Sequence, residues 1–494
     1  MNRREFLQTT AASLAAVAMS RNAESAETKS RDKLIGIQAG AVSFMDEGVE
    51  KVLDLFQQNH INAIFLATFT YGRGIAGRQV PGHPLPDHGI QEYDEKTFHG
   101  GNYATPHPSF YETKILNPAD TRAPDFGDTD ILEKILPAAQ KRGVKIYCWY
   151  EDAFGNSIPN IDQLQEVDLT GKKHDTLCPL HPEYRAFLTG LTNDYCKSYD
   201  IDGVMWGSER QGPLHRALGA GHGKPADPMS VTCFCDLHKQ AARERGINVD
   251  RAITGYSKLA DFIRQSRAGN RPTDGYFVTF WRLLLDYPEL LAWEKLWTDS
   301  KHQIYADVYK AAKSAKPNVQ VGFHIWHANS FTPFFRAEQD YAAFAKNADY
   351  LKIVLYNNCG GPRYAGAINN VAQTIFADLP RDEVLALHNR WLNYGDEKGL
   401  ADLPKSGLSA DYVARETRRA LDDVKSTSCK IYPGIDIDIP TSPDEKQTTP
   451  EDVLASTSAA LKAGADGVIF SRKYSEMRLA NLAAGGRAVA QTTP

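Results

Sequence analysis

Residues 463–472 read AGADGVIFSR, and the fold turns on that stretch. A helical pattern, TPEDVLASTSAALKAGA (449–465), runs through a tight Gly-Ala-Asp-Gly turn into a short apolar run. Helix, turn, strand is how the last unit of an alternating barrel reads. Working outward, similar runs occur at LIGIQAG (34–40), NAIFLAT (62–68), VKIYCWY (144–150), DGVMWGS (202–208), VQVGFHIW (319–326), YLKIVLYN (350–357) and KIYPGIDI (430–437), with DGVIFSR (466–472) as the eighth. Each is continuous rather than alternating and rich in β-branched or aromatic residues, the pattern of parallel strands covered on both faces. The segments between them carry helical periodicity. Several open on Asp, Ser or Thr and close on Gly, Asn or Pro, as helix caps require. Eight such units predict a (β/α)8 TIM barrel over residues 32–480, with 481–494 a flexible tail.

Three connections are oversized: 73–125 after the second strand, 211–300 after the fourth and 358–425 after the sixth. All follow strands, so they belong on the C-terminal face, where barrel active sites form. Long irregular loops are uncommon unless they bind something. Ahead of the barrel, Arg3-Arg4 precedes a short alanine-rich apolar run, the layout of a twin-arginine export signal over 1–26. A periplasmic or secreted location follows as an expectation, with no membrane attachment once the leader is removed. The net charge of −5 and 24% charged residues give no basic footprint for nucleic acid. Seven cysteines in a chain with this much core do not read as a disulfide framework.

The chemistry collects at strand ends. DGVMWGSERQGP (202–213) leaves its apolar run through Trp206, Glu209 and Arg210. The seventh strand ends in GIDIDIP, where period-two alternation puts Asp436 and Asp438 on one face and Ile435, Ile437 and Ile439 on the other. Two carboxylates on an apolar strand need partners or a task, because unpaired buried charge is costly. Carboxylates facing one another across a barrel mouth are what glycosidic cleavage needs: one protonates the leaving oxygen, the other attacks or activates water.

CPLHPEYRAFLTGLTNDYCKSYDIDGVMWGSER (178–210), followed by CFCDLHKQAARERGINVDRA (233–252), resembles the bacterial hypothetical glycosyl hydrolases of the (β/α)8 barrel clan. The resemblance is close over 175–255 and elsewhere lies in the strand pattern alone. It departs at His238, where a third Cys is commoner, and at Glu209, one step beyond a plain strand-terminal carboxylate. It implies a carbohydrate substrate, Glu209 as general acid/base with a raised pKa, Asp438 as nucleophile or base, and Asp436 as a deeper support. No cofactor and no catalytic metal are expected.

Tyr150 and Glu151 after the third strand, His324 and Trp326 after the fifth, Tyr356 and Asn357 after the sixth, and Arg390 in HNRWLNYGD join Trp206 and Arg210 as candidate substrate contacts. Gly360-Gly361 reads as a turn. Cys233, Cys235 and His238 form a soft-ligand set without the usual C-x2-C spacing, with His215 or His222 the candidate fourth ligand for a structural metal. Two rivals stand beside the hydrolase reading. One is a metal-dependent sugar isomerase or epimerase, which needs several acidic and histidine ligands at successive strand ends. The other is a carbohydrate-binding barrel without turnover.

Overall fold

Each of the eight apolar runs forms a strand in the computed structural model, which describes residues 33–492 apart from 71–72, 95–96 and 153–157. We label them β1 (Leu34–Gly40), β2 (Ala63–Thr70), β3 (Lys145–Glu151), β4 (Gly203–Gly207), β5 (Gln320–Ile325), β6 (Tyr350–Val354), β7 (Lys430–Asp436) and β8 (Gly467–Ser471). They pair in parallel in chain order, and β8 pairs back onto β1, so the sheet closes into a (β/α)8 barrel. Every residue of β1, β2, β4, β6 and β8 is buried, which is why these runs are continuous rather than alternating.

Alternation survives as a division of labour. Inward, Phe65, Tyr147, Trp149, Met205, Tyr350 and Ile469 fill the barrel, with Phe65 stacked on Tyr147 at 4.7 Å and Tyr350 edge-on to Tyr147 at 5.7 Å. Gly203 and Gly322 make room for them, since a Cβ would meet the Tyr147 ring at 2.3 Å and the Tyr350 ring at 2.1 Å. Outward, Tyr150 and Trp206 belong to the layer shared with the helices.

The oversized segments follow β2, β4 and β6. The connection after β3 also carries an antiparallel hairpin, Gln165–Val167 with Lys173–Leu177, which the sequence pattern did not reveal. The expected tail is corrected: Leu479–Thr492 is a helix whose Leu482, Ala484, Ala488 and Val489 are buried. Its small apolar side chains let it pack closely on the helix Pro450–Lys462. The expected export signal over 1–26 lies outside the described residues, among which no helix is long and apolar enough to cross a membrane.

Candidate active site

The inward face changes character toward the C-terminal ends of the strands, where Gln38, Glu151, His324 and Lys352 replace aromatic rings. Lys352, in the middle of β6, is completely buried. A buried ammonium needs all three of its donors satisfied. Here Nζ donates to Gln38 Oε1 at 2.6 Å, to the Tyr356 hydroxyl at 2.8 Å and to His324 Nδ1 at 3.2 Å. Desolvation lowers its pKa to about 7 against the pull of Glu151 and Glu209. Burial and the Lys352 charge also lower the pKa of His324, so its neutral ring accepts at Nδ1 and donates from Nε2 to Glu209 Oε1 at 2.9 Å. Lysine, imidazole and carboxylate form one chain of hydrogen bonds.

Two carboxylates flank that chain with opposite tendencies. Glu151 ends β3, in register with Gly207 near the end of β4. Desolvation, then repulsion from Glu209, pushes its pKa up to about 8, although Lys352 and the Trp149 indole N–H, which donates at 3.0 Å, both favour the anion. Partial desolvation would raise Glu209 too, but the His324 hydrogen bond and the Arg363 charge outweigh it and hold Glu209 below the usual carboxylate range. Its side chain is 45% exposed. It opens onto a cleft of about 350 Å³ lined also by Gln211, Arg216, His222, Lys224 and Trp326. Burial thus favours the protonated form of Glu151 while hydrogen bonding and nearby positive charge favour the ionised form of Glu209, the division of roles that acid–base catalysis needs.

Several expected site residues take other roles. Glu209 is in the mouth, but its pKa is lowered by the His324 hydrogen bond and neighbouring positive charge, not raised. Asp436 is buried and faces inward. It accepts from Asn358 Nδ2 at 3.0 Å and the Cys359 N–H at 3.0 Å, fastening β7 to the start of the helix Asn357–Val371. Burial still raises its pKa to about 6. Asp438 does not share its face: β7 ends at Asp436, and Asp438 adopts a left-handed backbone with φ 55°, which breaks the alternation. Its carboxylate is held by Arg478 at 2.7 Å and Asn481 at 2.9 Å, in a separate pocket with Gln79 and His83. Replacing Asp438 with Asn should leave turnover unchanged and lower stability by about 1–2 kcal/mol, read by a steady-state assay beside a denaturation curve.

Trp206 packs edge-on against Tyr305 at 4.6 Å, and Tyr150 donates to or accepts from Thr192 Oγ1 at 2.6 Å. Both point away from the mouth into the helical layer. Arg210 is consumed by Glu166 at 2.6 Å, Asp152 at 2.9 Å and the Leu177 carbonyl at 2.8 Å, so it braces the cleft wall. Asn357 opens its helix and receives the Leu408 N–H on its main-chain carbonyl. Arg390 sits exposed on the helix Arg381–Leu392 and does not line the cleft. Gly360 and Gly361 lie within a helix, where added Cβ atoms would meet Leu408 and the Leu403 carbonyl. His324, Trp326, Tyr356 and Glu151 are brought to the mouth or the cleft.

Gln38, Lys352 and Arg363 are site residues that sequence reasoning missed. Lys352 left a signal: a lysine in the middle of an apolar strand, in step with inward-facing Tyr350.

A closed barrel of eight parallel strands with acid–base groups at its C-terminal mouth defines the class: a (β/α)8 barrel. Among solved structures it is similar to the PgaB glycoside hydrolase domain of Bordetella bronchiseptica (11% identity, 94% of this chain and 98% of that one, TM-score 0.49). It is also similar to a β-galactosidase of Halorubrum lacusprofundi (14%, 93% and 57%, TM-score 0.49) and to a GH42 β-galactosidase of G. stearothermophilus (12%, 93% and 57%, TM-score 0.49). The chain thus spans a little over half of either galactosidase. No family model and no curated protein matches it. The chemistry of the site, rather than these likenesses, bears on function.

Proposed function

We propose that this chain is an exported glycoside hydrolase in which Glu151 is the general acid and Glu209 the ionised nucleophile or base. The observation that carries this reading is the pair of carboxylates itself: Glu151 ends β3 where burial disfavours its charge, and Glu209, two residues past the end of β4, accepts from His324 at 2.9 Å. Glu151 protonates the leaving oxygen, while Glu209, oriented by His324, attacks the anomeric carbon or takes a proton from water. Trp326 offers an apolar ring to the C–H face of a sugar. Screening aryl glycosides and plant polysaccharides tests the reading: the native chain should release reducing sugar, Glu209→Gln should not on either kind of substrate, and Glu151→Gln should lose release from polysaccharides, whose leaving oxygen needs a proton. Hydrolysis undiminished in both variants overturns it.

The bond from His324 favours the Glu209 anion, so removing the ring should raise the Glu209 pKa. His324→Ala is expected to move the acid limb of the kcat/KM profile to higher pH, with the alkaline limb following Glu151. A profile unmoved on its acid side would show that His324 does not act through Glu209.

The isomerase rival needs a metal at the mouth. Among the described residues, two groups of His, Cys, Asp or Glu bring three or more ligand atoms within 4.8 Å, and neither contains a barrel-strand residue or Glu209. A different second reading rests on Lys352, whose pKa near 7 would suit imine formation with a sugar aldehyde. Its three donors are all engaged, which favours a holding role. Borohydride trapping with an aldose, read as a mass increase at Lys352, distinguishes the two.

A further inference from the structure

Outside the active site, one side-chain cluster has no place in the chemistry above. Cys178, Cys233, Cys235 and His238 converge, with all four potential ligand atoms within 4.8 Å of one another. Cys178 Sγ lies 3.6 Å from Cys235 Sγ and 3.4 Å from His238 Nδ1, and Cys235 Sγ lies 3.6 Å from the same nitrogen. A tetrahedral zinc with Zn–S of about 2.3 Å and Zn–N of about 2.0 Å has S···S edges of about 3.8 Å and S···N edges of about 3.5 Å. The three separations among Cys178, Cys235 and His238 lie within about 0.2 Å of those edges. Cys178, Cys233 and His238 are buried, and Trp297 and Leu180 close the apolar shell around the sulfurs. His238 turns its Nδ1 edge to the thiols, while Nε2 meets no partner among the described residues.

We propose that these four residues bind a structural zinc ion in a closed Cys3His site. The fourth ligand is Cys178, not His215 or His222: His222 lines the cleft, and His215 lies beside Glu294 and Glu338. A disulfide would use only two of the three thiols, leaving the third and His238 buried without a purpose. Three soft thiolates and one imidazole, with no position open to substrate, suit zinc in a structural role.

The ligands come from two different connections. Cys178 follows the hairpin in the connection between β3 and β4, whereas Cys233, Cys235 and His238 belong to the long segment after β4. The segments also meet through the Phe234 N–H, which donates to the Val167 carbonyl at 2.7 Å. Between the ion and the cleft sits Glu166, accepting from Thr232 at 2.8 Å, Thr176 at 2.7 Å and the Trp297 indole at 2.9 Å, and paired with Arg210. Arg210 adjoins Glu209 in sequence. The ion would clamp two loops into the wall that carries the catalytic carboxylate, whichever reaction that carboxylate serves.

The test uses the full chain purified without added metal or reductant. Elemental analysis should find one zinc per chain in the native protein and in His238→Cys, which keeps a soft ligand at the fourth corner. Cys235→Ser and His238→Ala should fall to background and melt at lower temperature. Should those two variants fail to fold, the native protein reloaded with cobalt(II) after chelation still decides, because tetrahedral thiolate ligation gives a near-ultraviolet charge-transfer band and intense visible bands. Native protein with no stoichiometric zinc and no such cobalt spectrum overturns the proposal. So does a Cys178–Cys235 disulfide in peptide mapping, or zinc undiminished in both variants.

Discussion

Glu151→Gln is expected to lower kcat/KM by about 10²–10⁴ on substrates with poor leaving groups, the range associated with one positioned proton donor. Aryl glycosides whose phenol leaves without protonation should be affected far less, because the lost group acts on the leaving oxygen. The pH dependence carries a second signature. The acid works only while protonated, and desolvation together with Glu209 holds its pKa near 8. Activity of the native chain should therefore be sustained through neutrality and fall as pH rises through about 8. In Glu151→Gln the amide does not titrate, so that alkaline limb should disappear along with most of the rate. A uniform loss across leaving groups, with the limb intact, would assign the proton to another residue. Lys352 is the group to separate by this means, since it titrates near 7 and touches the same chain of hydrogen bonds.

The fold was legible because a closed parallel barrel writes itself as continuous apolar runs. All eight run positions hold strands, with ends displaced by at most a few residues. The site was legible only where the strand period was respected. Trp149 and Glu151 share the inward side of β3, so Tyr150 between them must face the helices, yet its hydroxyl and ring suggested a sugar contact. Trp206 misled for the same reason. Asp438 failed differently: alternation was extended past the end of β7, and a single left-handed residue turned the carboxylate toward Arg478. The cysteine–histidine cluster was half visible. Cys233, Cys235 and His238 lie together in sequence, but Cys178 stands 57 positions before Cys235, and only the packing of the hairpin onto the next connection unites them. Sequence spacing carries no information about such a junction.

Glu209→Ala should be the more damaging change, with turnover falling by about 10⁴ or more, because the leaving-group proton is of little use without a group on the opposite side of the anomeric carbon. The loss should not be repaired by changing the leaving group, which separates this variant from Glu151→Gln. Small anions distinguish its two forms of action. If Glu209 attacks carbon directly, azide fills the space left by the carboxylate and yields a glycosyl azide, with partial recovery of rate. If it acts as a base on water, azide enters only where the water stood, and the stereochemistry of the native product is inversion rather than retention. Either result keeps Glu209 at the reacting centre. The role fails if Glu209→Ala retains native turnover while still binding the sugar, since His324, Lys352 and the cleft would then be arranged around a carboxylate that the reaction does not use.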